Sequence, residues 1–120
     1  MSNALVLTLQ HAPPSTNHLY ANVAGKGRVK AKRYKEWKNT VGWDLNQQNY
    51  TLIRGPVELD LTVRRPKKGV RADISNRIKA VEDLLVDHQV LKDDSQVMEV
   101  RARWGDVEGT RIEIMPVEAN

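Results

Sequence analysis

Val57-Glu58-Leu59-Asp60-Leu61-Thr62-Val63-Arg64-Arg65, opened by Pro56 and closed by Pro66-Lys67-Lys68-Gly69, is the stretch on which the fold turns. Val57, Leu59, Leu61 and Val63 alternate strictly with Glu58, Asp60, Thr62 and Arg64. A period of two sends the sets to opposite faces, so the stretch predicts a half-buried strand with one wet or covered face. Upstream the period changes. Across Lys32–Asn49, Tyr34, Trp37, Val41 and Leu45 recur at helical spacing and form one apolar stripe. Leu5–Leu9 is a short strand candidate, ended by Ala12-Pro13-Pro14-Ser15, and residues 11–30 read as a loop with at most a short strand. Downstream, Ser75 is a good N-cap for a helix over Asn76–Val86. Val97–Trp104 and Thr110–Pro116 are two further strands. Their joint, Gly105-Asp106-Val107-Glu108-Gly109, predicts an antiparallel hairpin. The order implies an α+β fold: a small mixed sheet of about four strands with two main helices on one face.

The length of 120 residues suits one domain spanning 1–120. With 40% apolar and 28% charged residues the chain is expected to fold. No apolar run approaches the roughly 18 residues of a membrane span, and the N-terminus lacks the basic start of a signal peptide. The absence of cysteine excludes disulfides, thiolate zinc sites and cysteine nucleophiles, and fits a cytoplasmic protein. His11, His18 and His88 have no metal-like spacing.

The net charge is +4, and it is segregated. Residues 26–38 hold Lys26, Arg28, Lys30, Lys32, Arg33, Lys35 and Lys38 against Glu36 alone. Residues 64–79 hold Arg64, Arg65, Lys67, Lys68, Arg71, Arg77 and Lys79 against Asp73 alone. Residues 82–108 carry eight acidic residues and three basic ones. Two concentrated basic segments in a small protein read as a polyanion binder.

Asp73-Ile74-Ser75-Asn76-Arg77-Ile78-Lys79-Ala80-Val81-Glu82-Asp83 is the most informative stretch for chemistry. On a helix, Ile78, Val81 and Leu85 fall within about 60° of one another and form the buried stripe, while Asn76, Lys79 and Asp83 share the opposite side. An amide, an amine and a carboxylate on a wet face are ordinary by themselves. Asp73 just before the helix and Asp93-Asp94 in the following turn change the weighing. Carboxylates gathered inside a basic field suit a hard cation, Mg²⁺ or Mn²⁺ rather than zinc. A lysine beside such a centre is what phosphodiester hydrolysis uses.

Three blocks extend that reading. Pro13-Pro14-Ser15-Thr16-Asn17-His18-Leu19-Tyr20, Arg71-Ala72-Asp73-Ile74-Ser75-Asn76-Arg77-Ile78-Lys79 and Asp93-Asp94-Ser95-Gln96-Val97 occur in this order across nearly the full length. In content and separation the chain resembles the RusA-type Holliday junction resolvases, small homodimeric endonucleases common in prophages and acting in DNA recombination and repair. The resemblance implies catalytic roles for Asp73, Asp94, Lys79 and Asn76. It also implies Mg²⁺, with Mn²⁺ as substitute, held by Asp73 and Asp94 with help from Ser75, Asp93 and Asp83. The departure is Ser75, where the family pattern carries a second aspartate; a hydroxyl is the poorer ligand for a hard cation. Its implied substrate is four-way junction DNA, cut by paired hydrolysis.

For DNA contact the candidates are Lys26, Arg28, Lys30, Lys32, Arg33, Arg64, Arg65, Lys67, Lys68, Arg71 and Arg77. Such contacts position a duplex without reading its sequence. Tyr34 and Trp37 suit core or dimer packing better than base stacking, and Trp43 lies off their stripe. His88 and Glu82 default to the surface. The alternative function is a structure-specific DNA-binding protein lacking nuclease activity because Ser75 replaces a catalytic aspartate. A third reading, a basic protein binding RNA or acidic proteins, is disfavoured by the three blocks together.

Overall fold

The computed structural model describes residues 4–14, 20–23, 27–30, 32–68 and 73–117, with backbone alone at 20–23, 27–30 and Asn76. In chain order the elements are β1 (Leu5–Leu9), β2 (Tyr20–Val23), β3 (Gly27–Lys30), α1 (Lys32–Asn46) and β4 (Val57–Arg64). They continue as α2 (Ser75–Asp87), a 3₁₀ turn at Asp94–Gln96, β5 (Val97–Gly105) and β6 (Thr110–Pro116). The main sheet has four strands in the order β1-β6-β4-β5. It is mixed: β4 runs parallel to β5, and the β4–β6 and β1–β6 pairs are antiparallel. The α+β class and the four-strand sheet follow the sequence reading.

Two expectations are corrected. Residues 11–30, read as a loop with at most a short strand, contain the antiparallel ribbon of β2 and β3, paired from Tyr20↔Lys30 to Val23↔Gly27. Its strands are four residues each and show no apolar alternation, so they leave no periodic signal. The second correction concerns β5 and β6, which do not form a hairpin. The strand β4 lies between them. Two strands flanking a third stand roughly 10 Å apart, twice the usual spacing, which a tight turn cannot bridge. The five residues read as a hairpin joint instead cross the end of β4. Gly105 O accepts from Arg65 N at 3.1 Å and Gly109 O accepts from Arg64 N at 2.8 Å. A side chain at Gly109 would stand 2.3 Å from Leu9 O and His11 N, so only glycine lets this crossing touch the end of β1.

The strict alternation in β4 divides its two faces. Val57, Leu59, Leu61 and Val63 are fully buried, and Glu58, Asp60 and Thr62 are half-buried on the other face. Leu7 and Leu9 of β1 and Ile112 and Ile114 of β6 join the same core. Both helices cover that one face. Tyr34, Trp37, Val41 and Leu45 descend from α1, and Ala80, Val81, Leu84 and Leu85 from α2. Burial of each large apolar side chain contributes about 2 kcal/mol. The rings of Tyr34 and Trp37 stack at 6.1 Å, which makes them core residues, whereas Trp43 stands 71% exposed.

Helix α1 ends at Asn46, three residues before the predicted boundary, and the residues beyond it have another task. The side-chain amide of Gln48 donates to Thr8 O at 2.7 Å, and its oxygen accepts from Thr8 N at 2.9 Å. Asp44 accepts from Gln10 N at 2.8 Å. The two Gln48 bonds occupy backbone groups of the edge strand β1 that would otherwise invite another strand.

Candidate active site

The unit β4–α2–β5 is a parallel crossover, so α2 runs back along the sheet between its two strands. This connection decides which of the acidic residues meet. Asp73 stands just before α2, and Asp93-Asp94 stands after it, at the entry to β5.

At the start of α2 the expected cap is reversed. Ser75 is the first helical residue rather than the N-cap. Its N–H donates to Asp73 Oδ1 at 3.1 Å and its Oγ donates to the same oxygen at 2.7 Å. Aspartate accepts from the amide two residues on, as its short carboxylate readily does, and fills the role predicted for serine. The Ser75 hydroxyl is therefore engaged with the neighbouring acid.

Further along α2, Lys79 Nζ lies 3.2 Å from Asp83 Oδ1 and 3.4 Å from Asp94 Oδ2. Its first partner is the ordinary i,i+4 pair of a helix. The second comes from another element, fifteen residues away in sequence. The hydrogen bond to Asp83 raises the lysine pKa above its ordinary value; burial opposes this, and Asp94 adds to it. Lys79 is thus an ammonium throughout the neutral range. Glu82, on the same stretch of helix, is half-buried. Burial holds its carboxyl above the usual range, Lys79 opposes that, and Asp94 and Asp83 reinforce it.

The turn carrying Asp94 is built by Gln96. Its side-chain oxygen accepts from Lys92 N at 2.7 Å and Asp93 N at 2.9 Å. Its amide donates to Ile53 O and Gly55 O, both at 2.8 Å. One side chain thus closes the turn and ties it to the segment entering β4. Asp93 points elsewhere in this network: it accepts from the Ser95 hydroxyl, which lowers its pKa.

The candidate set therefore divides. Lys79, Asp83 and Asp94 come together; Asp73 and Ser75 form a neighbouring pair at the helix start; Asp93 is engaged by Ser95. The side chain of Asn76 lies outside the described part. Among the described residues no three of His, Cys, Asp and Glu gather closely enough to hold a metal ion. The donors are nonetheless all hard oxygens, and Mg²⁺ commonly takes one or two protein carboxylates, with water and phosphate completing its shell. The pair Asp83 and Asp94, already sharing one cation, fits that chemistry.

Of the basic candidates, Lys32 and Arg33 are exposed on the first turn of α1, and Lys32 pairs with Glu36 at 3.7 Å. Arg64, Arg65, Lys67 and Lys68 are exposed at and beyond the end of β4, with Arg65 3.8 Å from Asp106. Arg28 and Lys30 hold alternate positions on β3. Lys26 and Arg71 lie outside the described residues, as do Ser15 to Leu19 of the first block. Arg77 is half-buried, its guanidinium 5.9 Å from the centre of the Trp104 ring.

The sequence reading gave no role to Gln96 or Glu82. Gln96 was visible only as a letter in the third block, since two of its four bonds reach a segment about forty residues away. Glu82 lies three residues from Lys79 on a helix, which was the available signal.

The comparisons with known proteins agree with the blocks. A relative, the uncharacterized protein YqaN of Bacillus subtilis (strain 168), is 30% identical over 72% of this chain and 73% of its own. No helix among the described residues is long and apolar enough to cross a membrane. The family model described as endodeoxyribonuclease RusA matches residues 11–115, from the Pro-Pro block to the end of β6. With Lys79, Asp83, Asp94 and the Gln96 turn all inside that match, the chain belongs to the RusA endodeoxyribonuclease family.

Proposed function

We propose that this protein is a divalent-metal-dependent endonuclease that resolves four-way DNA junctions as a homodimer. The observation that carries this reading is the meeting of Lys79 with Asp83 of its own helix and with Asp94 of the turn that follows. Asp94 and Asp73, with Asp83 beside Asp94, would supply carboxylates for Mg²⁺ or Mn²⁺, and Asp93 and Ser75 would contribute through water. When bound, the ion supplies positive charge at the phosphoryl oxygens and an acidified water.

The chain's own residues do the rest. Lys79, kept protonated by its two carboxylates, offsets the charge that grows on the phosphoryl oxygens. Asn76 orients a carboxylate or a water. Water adds at phosphorus and the bond to the 3′ oxygen breaks, leaving a 5′-phosphate and a 3′-hydroxyl. The exposed cations of α1 and of the segment after β4 hold the backbone. A junction has approximate twofold symmetry, so two related cuts call for two related sites, which a C2 dimer supplies.

A second reading rests on one observation: Ser75 stands where the family pattern has an aspartate, and its hydroxyl is bound to Asp73. On that reading the protein binds junctions without cutting them. Cleavage of a labelled four-way junction separates the two. Paired nicks in Mg²⁺ or Mn²⁺, absent in EDTA and in Asp73→Asn and Asp94→Asn, are expected. Junction binding without cutting under either metal would sink the nuclease reading. Ser75→Asp would then reveal whether that position is the cause, by restoring cleavage.

A further inference from the structure

A cation that the acidic cluster leaves unused is Arg77. It sits on the first turn of α2, and its N–H donates to Ile74 O at 2.9 Å. Its side chain turns away from Lys79: two residues along a helix is about 200° of rotation. There it rests over Trp104, near the carboxyl end of β5, at 5.9 Å from the ring centre. Arg65, Arg101, Arg103 and Arg111 each reach a carboxylate. Half-buried Arg77 reaches none among the described residues.

That combination has a cost. Burial of a cation without a counter-ion is unfavourable. It is visible as a lowered pKa, for which burial is the main cause; Asp73 opposes the shift and Arg33 of α1 adds to it. Arginine nevertheless stays charged at any working pH. An indole ring restrains a guanidinium without neutralising it. What remains is a fixed, partly dry fork of N–H donors, with Arg33 close enough to act on it electrostatically. Such a fork matches the paired oxygens of a phosphate diester.

We propose that Arg77, positioned by Trp104, binds a DNA backbone phosphate other than the one that is cut, on the side of α2 opposite Lys79. The inference rests on the nucleic-acid reading of the site but not on cleavage. It assigns Lys79 to the reacting phosphate and Arg77 to a separate one, so α2 would lie between the two. Trp104 is a positioning residue and carries no charge of its own.

The test is binding of four-way junctions in Ca²⁺ or EDTA, with a neutral methylphosphonate replacing one phosphate near the branch point at a time. Wild-type protein should lose affinity at the phosphate Arg77 holds. Arg77→Ala should bind the unmodified junction about tenfold more weakly. It should lose sensitivity at that phosphate alone, and its salt slope should fall by about 0.9. Trp104→Leu should weaken binding with the salt slope kept, and Trp104→Phe should restore affinity. Thermal melts establish folding, and Arg77→Gln replaces Arg77→Ala if the latter does not fold. Identical methylphosphonate profiles for wild type and both Arg77 variants would overturn the proposal, as would unchanged affinity. A wild-type protein that shows the Arg77-dependent phosphate yet never cuts DNA sinks the nuclease reading and leaves this one standing.

Discussion

At the scale of the residue, the site contrasts two carboxylates on one helix. Asp83 shares the Lys79 ammonium at 3.2 Å, while Glu82, one residue earlier, is half-buried and held partly by desolvation. A carboxyl whose folded pKa lies above its unfolded value binds more protons in the native state. Its contribution is therefore fully present below about pH 4, the ordinary glutamate value, and is lost as pH rises through the folded pKa. Glu82→Gln removes that loss. In metal-free buffer the variant is expected to melt at a higher temperature than wild type at pH 7, with the two curves converging below about pH 4. Thermal melts across pH decide it; a variant less stable at pH 7 would show that the negative charge of Glu82 is itself used. The spacing of Lys79 and Asp83 was legible from the helix period. The burial of Glu82 was not, because it depends on what α2 rests against.

At the scale of the element, the 3₁₀ turn at Asp94–Gln96 has no hydrophobic anchor: none of its residues is buried. Its position rests on Gln96, which satisfies two backbone N–H groups and two carbonyls. Gln96→Leu leaves those groups without partners and should cost about 1–3 kcal/mol in urea unfolding. Because the same bonds aim Asp94, junction cleavage should fall further than the population of folded protein explains. A variant with unchanged stability and full cleavage would show that the turn is held by other means. Elements with strong periods were legible in the sequence: β4 and α2 lie within a residue or so of their expected bounds. The ribbon of β2 and β3 was not, since its cohesion lies in backbone pairing rather than in side-chain pattern.

At the scale of the whole molecule, the proposed twofold predicts a division of labour. If each subunit cuts one strand, a dimer mixing one wild-type and one Asp94→Asn chain, separated by a tag, should nick a junction on one strand only. Gel analysis of doubly labelled junctions counts the cuts. Paired cutting by the mixed dimer would show that one site serves both strands. The segregation of charge belongs to this scale too: Arg33 on α1 and Arg77 on α2 are distant in sequence yet interact electrostatically.

Period, punctuation and residue type suffice to specify local structure and the face each residue takes, because those follow from backbone geometry alone. By itself the sequence thus determined the α+β class, the half-buried strand β4, both helices, the core stripe of α1, the basic segments and the three blocks that mark the family. Tertiary structure alone decided that β4 separates β5 from β6, that Asp94 meets Asp83 through Lys79, and that Arg77 finds Trp104. Each of these depends on how a crossover returns the chain, a choice set by global packing among elements that no local pattern encodes.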